Sequence, residues 1–228
     1  MPRKTLFEAC VESTEFALAA ERGGADRIEL CTDLDIGGVT PPQLMIAETR
    51  RVLSIPVHVL IRPRGGDFRY TNDEFELMKS DVLSAKRAGV DGIVVGILNE
   101  DRTVDAKRTG VLVELARPMS VTFHRAFDET PDPHRALDDI IGVGIDRLLT
   151  SGRKPAAIEG VKIIKELVEW SAGRIIVMPG GGVREENARA IIEQTGAREI
   201  HGSLRGAKDE MTSADYSARV REFIGVLP

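Results

Sequence analysis

Arg27-Ile28-Glu29-Leu30-Cys31 has the apolar, β-favouring character of a buried strand, yet it carries a carboxylate in its middle. Leu6-Phe7-Glu8-Ala9-Cys10, Val57-His58-Val59-Leu60-Ile61-Arg62 and Val121-Thr122-Phe123-His124-Arg125 repeat the anomaly. Side chains alternate across a strand, so Glu8 and Cys10 share one face, as do Glu29 and Cys31. Burying such charges costs several kcal/mol per ion unless they are paired. These runs therefore belong to a core that tolerates charge for a reason.

Working outward, β-rich runs are expected at 5–10, 27–31, 56–61, 92–96, 119–123, 146–150, 174–178 and 198–201. Each is followed by a stretch with helical periodicity, at about 13–22, 42–52, 72–88, 106–117, 133–141, 157–170, 186–195 and 213–225. Thr71 with Glu74 fits a capping box, and Thr212 with Asp215 a second cap. Asp132-Pro133 fits an N-cap followed by proline at the first helical position. Gly23, Gly89 and Gly196 stand where helix-terminating glycines belong. Eight strand–helix units in this order make an α/β chain, expected to close as a TIM-like (β/α)8 barrel of parallel strands with outer helices. The rival, an open doubly wound sheet, needs protected edge strands, and the first and last runs carry no such protection. No linker or low-complexity tract divides the chain, so residues 1–228 read as one domain.

Composition narrows the function classes. Lys and Arg number 31 against 36 Asp and Glu, a formal charge of −5, which leaves no basic excess for nucleic acid. No run reaches the length of a membrane span. The basic start Met1-Pro2-Arg3-Lys4 is not followed by a signal-peptide apolar region. The two cysteines form no CxxC pair, and the expected compartment is the reducing cytoplasm.

Barrel sites lie at the C-terminal ends of strands, and ionisable residues recur at those positions. Glu8 and Glu29, on neighbouring strands, are candidates for general acid and base, with pKa values pushed apart. His124 and His201 end the fifth and eighth strands and are candidate proton shuttles. Arg62 is expected to be a counter-ion for one carboxylate or a clamp for an anion. Gly181 and Gly182, with Ser203 beyond the eighth strand, suit an oxyanion held by backbone N–H groups. Arg64, Arg125, Ser151 and Gly152 complete the candidate anion-binding set. His58 reads as an interior residue and His134 as solvent-facing. Cys10 and Cys31 end adjacent strands, and two soft thiolates there suit Cu(I).

Several stretches together resemble the CutC family. They are Phe7-Glu8-Ala9-Cys10, Arg27 to Cys31, Gly37-Gly38-Val39-Thr40-Pro41, Ile61-Arg62-Pro63-Arg64-Gly65-Gly66-Asp67-Phe68, Thr122-Phe123-His124-Arg125-Ala126-Phe127-Asp128, Leu149-Thr150-Ser151-Gly152 and His201-Gly202-Ser203. The similarity runs from residue 5 to about 205. It implies a TIM-like barrel, a cytoplasmic homo-oligomer (a dimer or tetramer), and a part in copper homeostasis with Cu(I) bound through Cys10 and Cys31. Two readings stand side by side: a Cu(I)-binding protein, and a barrel enzyme acting on a small anionic or phosphorylated metabolite.

Overall fold

A computed structural model describes residues 5–204 and 211–228; the start of the chain, Met1 to Lys4, lies outside them. Eight parallel strands form one sheet: β1 (Leu6–Val11), β2 (Arg27–Leu30), β3 (Val57–Leu60), β4 (Gly92–Val95), β5 (Ser120–Phe123), β6 (Arg147–Thr150), β7 (Ile176–Pro179) and β8 (Glu199–Gly202). Their order runs β7-β6-β5-β4-β3-β2-β1-β8, and β8 packs against β7, so the sheet curls into a nearly closed barrel. The open-sheet alternative is thereby excluded. The helices are α1 (Thr14–Gly23), α2 (Gln43–Val52), α3 (Asn72–Arg87), α4 (Ala106–Ala116), α5 (Pro133–Gly142), α6 (Val161–Ser171), α7 (Glu185–Thr195) and α8 (Ser213–Val226). One-turn 3-10 segments follow β2 at Leu34–Ile36 and β5 at Arg125–Glu129.

Local chemistry accounts for most boundaries. Thr71 and Thr212 form capping boxes with Glu74 and Asp215, satisfying free N–H groups at the starts of α3 and α8. Asp132 accepts from the N–H groups of His134 and Arg135, with Pro133 at the first position of α5. Two expectations are corrected. The left-handed cap of α1 is Gly24, at φ 97°. Gly23 is inside the helix, where a Cβ would come within 2.6 Å of Val220 of α8. Helix α6 begins at Val161 rather than near 157. Bends and turns fill residues 152–160 before it, with Gly160 packed closely on Ser151 and Gly152.

The apolar core lies mainly between sheet and helices, with Phe7, Ile28, Phe123, Leu112, Tyr216 and Phe223 fully buried. The barrel interior is different. Two positions before each mouth residue, Arg27, Arg147 and Glu199 turn inward beside Glu8 and His58, all of them buried. Arg27 Nε donates to Glu8 Oε2 and its Nη2 to Glu199 Oε2 at 2.7 Å. Arg147 donates to both oxygens of Glu199, at 2.6 and 3.1 Å. Two guanidiniums and two carboxylates thus form a charge-balanced plug beneath the site.

Candidate functional site

A cavity of about 270 Å³ opens at the C-terminal ends of the strands. Cys10 of β1, Glu29 of β2, Arg62 beyond β3, His124 and Arg125 after β5, Gly181 and Gly182 after β7, and His201 and Ser203 at and after β8 all line it. Residues far apart in sequence meet here because parallel register sets Cys10 against Glu29 and Glu8 against both Arg27 and His201. Glu8, Cys31, Arg64, Ser151 and Gly152 do not line the cavity.

Glu8 belongs to the plug as much as to the mouth. Its Oε2 accepts from Arg27, and its Oε1 lies 2.8 Å from His201 Nδ1. Burial alone would raise its carboxyl. Arg27 and His201 outweigh burial and hold it well below the usual carboxylate range. Arg62 is therefore not the counter-ion of either glutamate; Arg27 fills that place for Glu8.

Glu29 is the less satisfied carboxylate. Its Oε1 is 4.0 Å from Cys10 Sγ. Its Oε2 is buried with no hydrogen bond, 3.9 Å from His201 Nδ1. Burial pushes it up to about 7, with His201 pulling the other way and the Glu8 charge adding to the rise. His201 is raised despite burial by its bond to Glu8 and the nearby Glu29. Coordinating atoms of Glu8, Glu29 and His201 lie within 4.8 Å of one another, as a cation site requires. Arg27, bonded to Glu8, opposes a cation there, because it already supplies the compensating positive charge.

His124 cannot shuttle protons near neutral pH. Burial, followed by the charge of Arg62, lowers it to about 3. Its Nδ1 accepts from Ala126 N at 3.1 Å, which puts the ring proton on Nε2. What it offers is a neutral N–H.

Each barrel histidine rests on a glycine of the neighbouring strand region. A Cβ on Gly92 would lie 2.4 Å from His58, one on Gly96 2.3 Å from His124, and one on Gly180 3.2 Å from His201. Gly96→Ala should therefore displace His124 and cost about 1–3 kcal/mol, the usual penalty of overpacking. Urea denaturation would measure it, and an unchanged midpoint would contradict the packing account.

The loops after β5 and β6 are organised by Asp128. It accepts from Arg125 Nε at 3.0 Å, Ser151 N at 3.0 Å, Ser151 Oγ at 2.9 Å and Arg153 N at 3.0 Å. Gly152 N donates to Thr150 Oγ1. The polar groups of Ser151 and Gly152 are thus occupied by the loop itself. Arg64 is held at the surface by Glu74 and Asp67. Gly181 and Gly182 have φ of 97° and 62°, which glycine alone adopts readily. His134 is half-buried, edge-on to Trp170 at 5.0 Å.

The cysteines are free and buried, with their sulfurs 3.6 Å apart. They sit in a small apolar cluster with Leu60 and Val94. The Cys10 thiol is pushed well above its ordinary value by its contact with Cys31 and by burial.

The family model described as "CutC family" matches residues 5–206. A human relative named copper homeostasis protein cutC homolog is 49% identical over 204 residues, covering 90% of this chain and 75% of the relative. A Xanthomonas axonopodis pv. citri relative, named only as a family protein CutC, is 48% identical over 200 residues, covering 88% and 83%. The crystal structure of the CutC protein of Streptococcus agalactiae superposes with a TM-score of 0.84 at 35% identity, covering 88% of this chain and all of that one. Phosphoribosylanthranilate isomerase of Pyrococcus furiosus, at 15% identity and a TM-score of 0.62 over 98% of both chains, shares the fold alone. With its barrel, its matched length and these identities, the chain belongs to the CutC family.

Proposed function

We propose that this protein handles copper by holding Cu(I) between Cys10 and Cys31. The observation that carries the reading is the pair itself: two free, buried sulfurs 3.6 Å apart, one of them on the cavity wall. Thiolates are soft donors, matched to Cu(I) rather than to hard divalent ions. Neither sulfur has a strong competing partner. Cys10 Sγ is 4.0 Å from Glu29 Oε1, and Cys31 Sγ is 3.8 Å from Val11 O. The raised Cys10 thiol keeps its proton when metal-free, so loading releases protons. Such a pair stays reduced in the cytoplasm, and no helix among the described residues is long and apolar enough to cross a membrane. The name of the human relative points the same way.

Competition with a calibrated Cu(I) chelator under reducing conditions tests the reading. Wild type should take up one equivalent, and Cys10→Ser or Cys31→Ser should each abolish stoichiometric uptake. Retained affinity in the double variant would sink the cysteine site.

A second reading rests on Glu29. A cavity-lining carboxyl poised at about 7, beside His201, is equipped for acid–base chemistry on a small anionic metabolite. Turnover assigned to this site should vanish in Glu29→Gln and survive in Cys31→Ser, which separates it from the copper reading.

A further inference from the structure

Arg62 is a buried guanidinium with no carboxylate. It is 4% exposed and is held by backbone carbonyls: Nη1 donates to Ile36 O at 3.1 Å and Gly38 O at 2.8 Å, and Nη2 to Gly66 O at 2.7 Å. Among the described residues no Asp or Glu pairs with it. Carbonyl oxygens orient a guanidinium but do not neutralise it. A buried charge left in that state costs several kcal/mol, which an anion would offset.

The donor inventory is also incomplete. A guanidinium has five N–H groups. Three bonds go to carbonyls, and the buried Nε has no acceptor. His124, 6% exposed, has its own buried Nε2 without an acceptor. Both side chains pack on Phe68: Arg62 Cζ lies 4.8 Å from the ring centroid, and the His124 ring 4.9 Å. Both line the mouth cavity with Phe68. The Tyr70 hydroxyl is buried beside Arg62, within reach of its charge and its N–H groups.

We propose that Arg62 and His124 form the receptor for the carboxylate of a small organic acid, one oxygen on Arg62 Nε–H and the other on His124 Nε2–H. The chemistry favours a carboxylate over phosphate. One unneutralised cation matches one negative charge, because His124 stays neutral. Two donors without acceptors, Arg62 Nε–H and His124 Nε2–H, match the two oxygens of one carboxylate. This site shares the cavity with the acid–base reading but does not depend on it, since binding at Arg62 is measured apart from any proton transfer at Glu29.

The test titrates the full chain with pyruvate, lactate and glycolate, and with inorganic phosphate and sulfate, by calorimetry and by nitrogen NMR of the histidine rings. At least one of the three acids should saturate a single site and shift the His124 Nε2 resonance. Arg62→Lys keeps the charge but loses the Nε donor, and His124→Phe loses the N–H; each should weaken binding about tenfold. His124→Gln, which keeps a side-chain N–H, should weaken it less than His124→Phe. If Arg62→Lys does not fold, the wild-type His124 shift decides. No saturable binding by any of the three acids, an unmoved His124 resonance, or phosphate or sulfate binding as tightly as the acids would overturn the assignment.

Discussion

Replacing Arg27 with Met is expected to destabilise the barrel by about 3–5 kcal/mol at neutral pH, the largest loss in this account. Arg27 bonds Glu8 and Glu199 at once. Its removal leaves one buried carboxylate without a guanidinium and the other with Arg147 alone. Glu8 also ties this loss to pH. Because its folded pKa is depressed, its contribution is present above the unfolded value near 4.5 and is lost as pH falls through the folded one. Wild type should therefore weaken in acid, whereas the variant, whose Glu8 keeps His201 but loses Arg27 and so gains less from being charged, should show a flatter acid limb. Adding Glu8→Gln to Arg27→Met should recover part of the loss. A cost below about 1 kcal/mol would place the plug among interactions of surface strength and would contradict it.

Glu29→Gln should act in the opposite direction. The folded chain holds the Glu29 proton up to about 7, whereas the unfolded chain releases it near 4.5. Between those values the native state binds more protons, so stability falls as pH rises. By pH 8 the gap amounts to about 3 kcal/mol. Gln carries no such penalty, so the variant should melt higher than wild type at pH 8 and about the same at pH 4. A lower melting temperature at pH 8 would mean that Glu29 is ionised and paired, and that it holds the fold rather than serving a site.

The contrast between the two residues shows what the sequence could and could not disclose. Alternation along β1 and β2 put Glu8 and Glu29 inside, and the βα order put them in a barrel; both follow from local pattern. Their different fates depend on long-range register. Arg27 and Glu199 are 172 positions apart and meet only through barrel closure. The signal for the plug was nevertheless present: Arg27, Arg147 and Glu199 each precede an inward mouth position by two residues. Arg62 was legible as a charged group at the end of β3 but not as a guanidinium held by loop carbonyls, because Ile36, Gly38 and Gly66 approach it only after two loops fold over β3. Ser151 and Gly152 looked like free donors because the competing acceptors are Asp128, placed by the turn after β5, and the Thr150 hydroxyl at the end of β6. The glycines under the histidines are invisible without strand pairing, which sets Gly92 against His58.

X-ray absorption at the copper edge of the Cu(I)-loaded wild-type protein reads out whether Cys10 and Cys31 hold the metal. Two sulfur scatterers should dominate the copper coordination, and that signature should be lost in Cys10→Ser. A shell of nitrogen and oxygen without sulfur, or copper that washes out of the wild type in the presence of chelator, would contradict it.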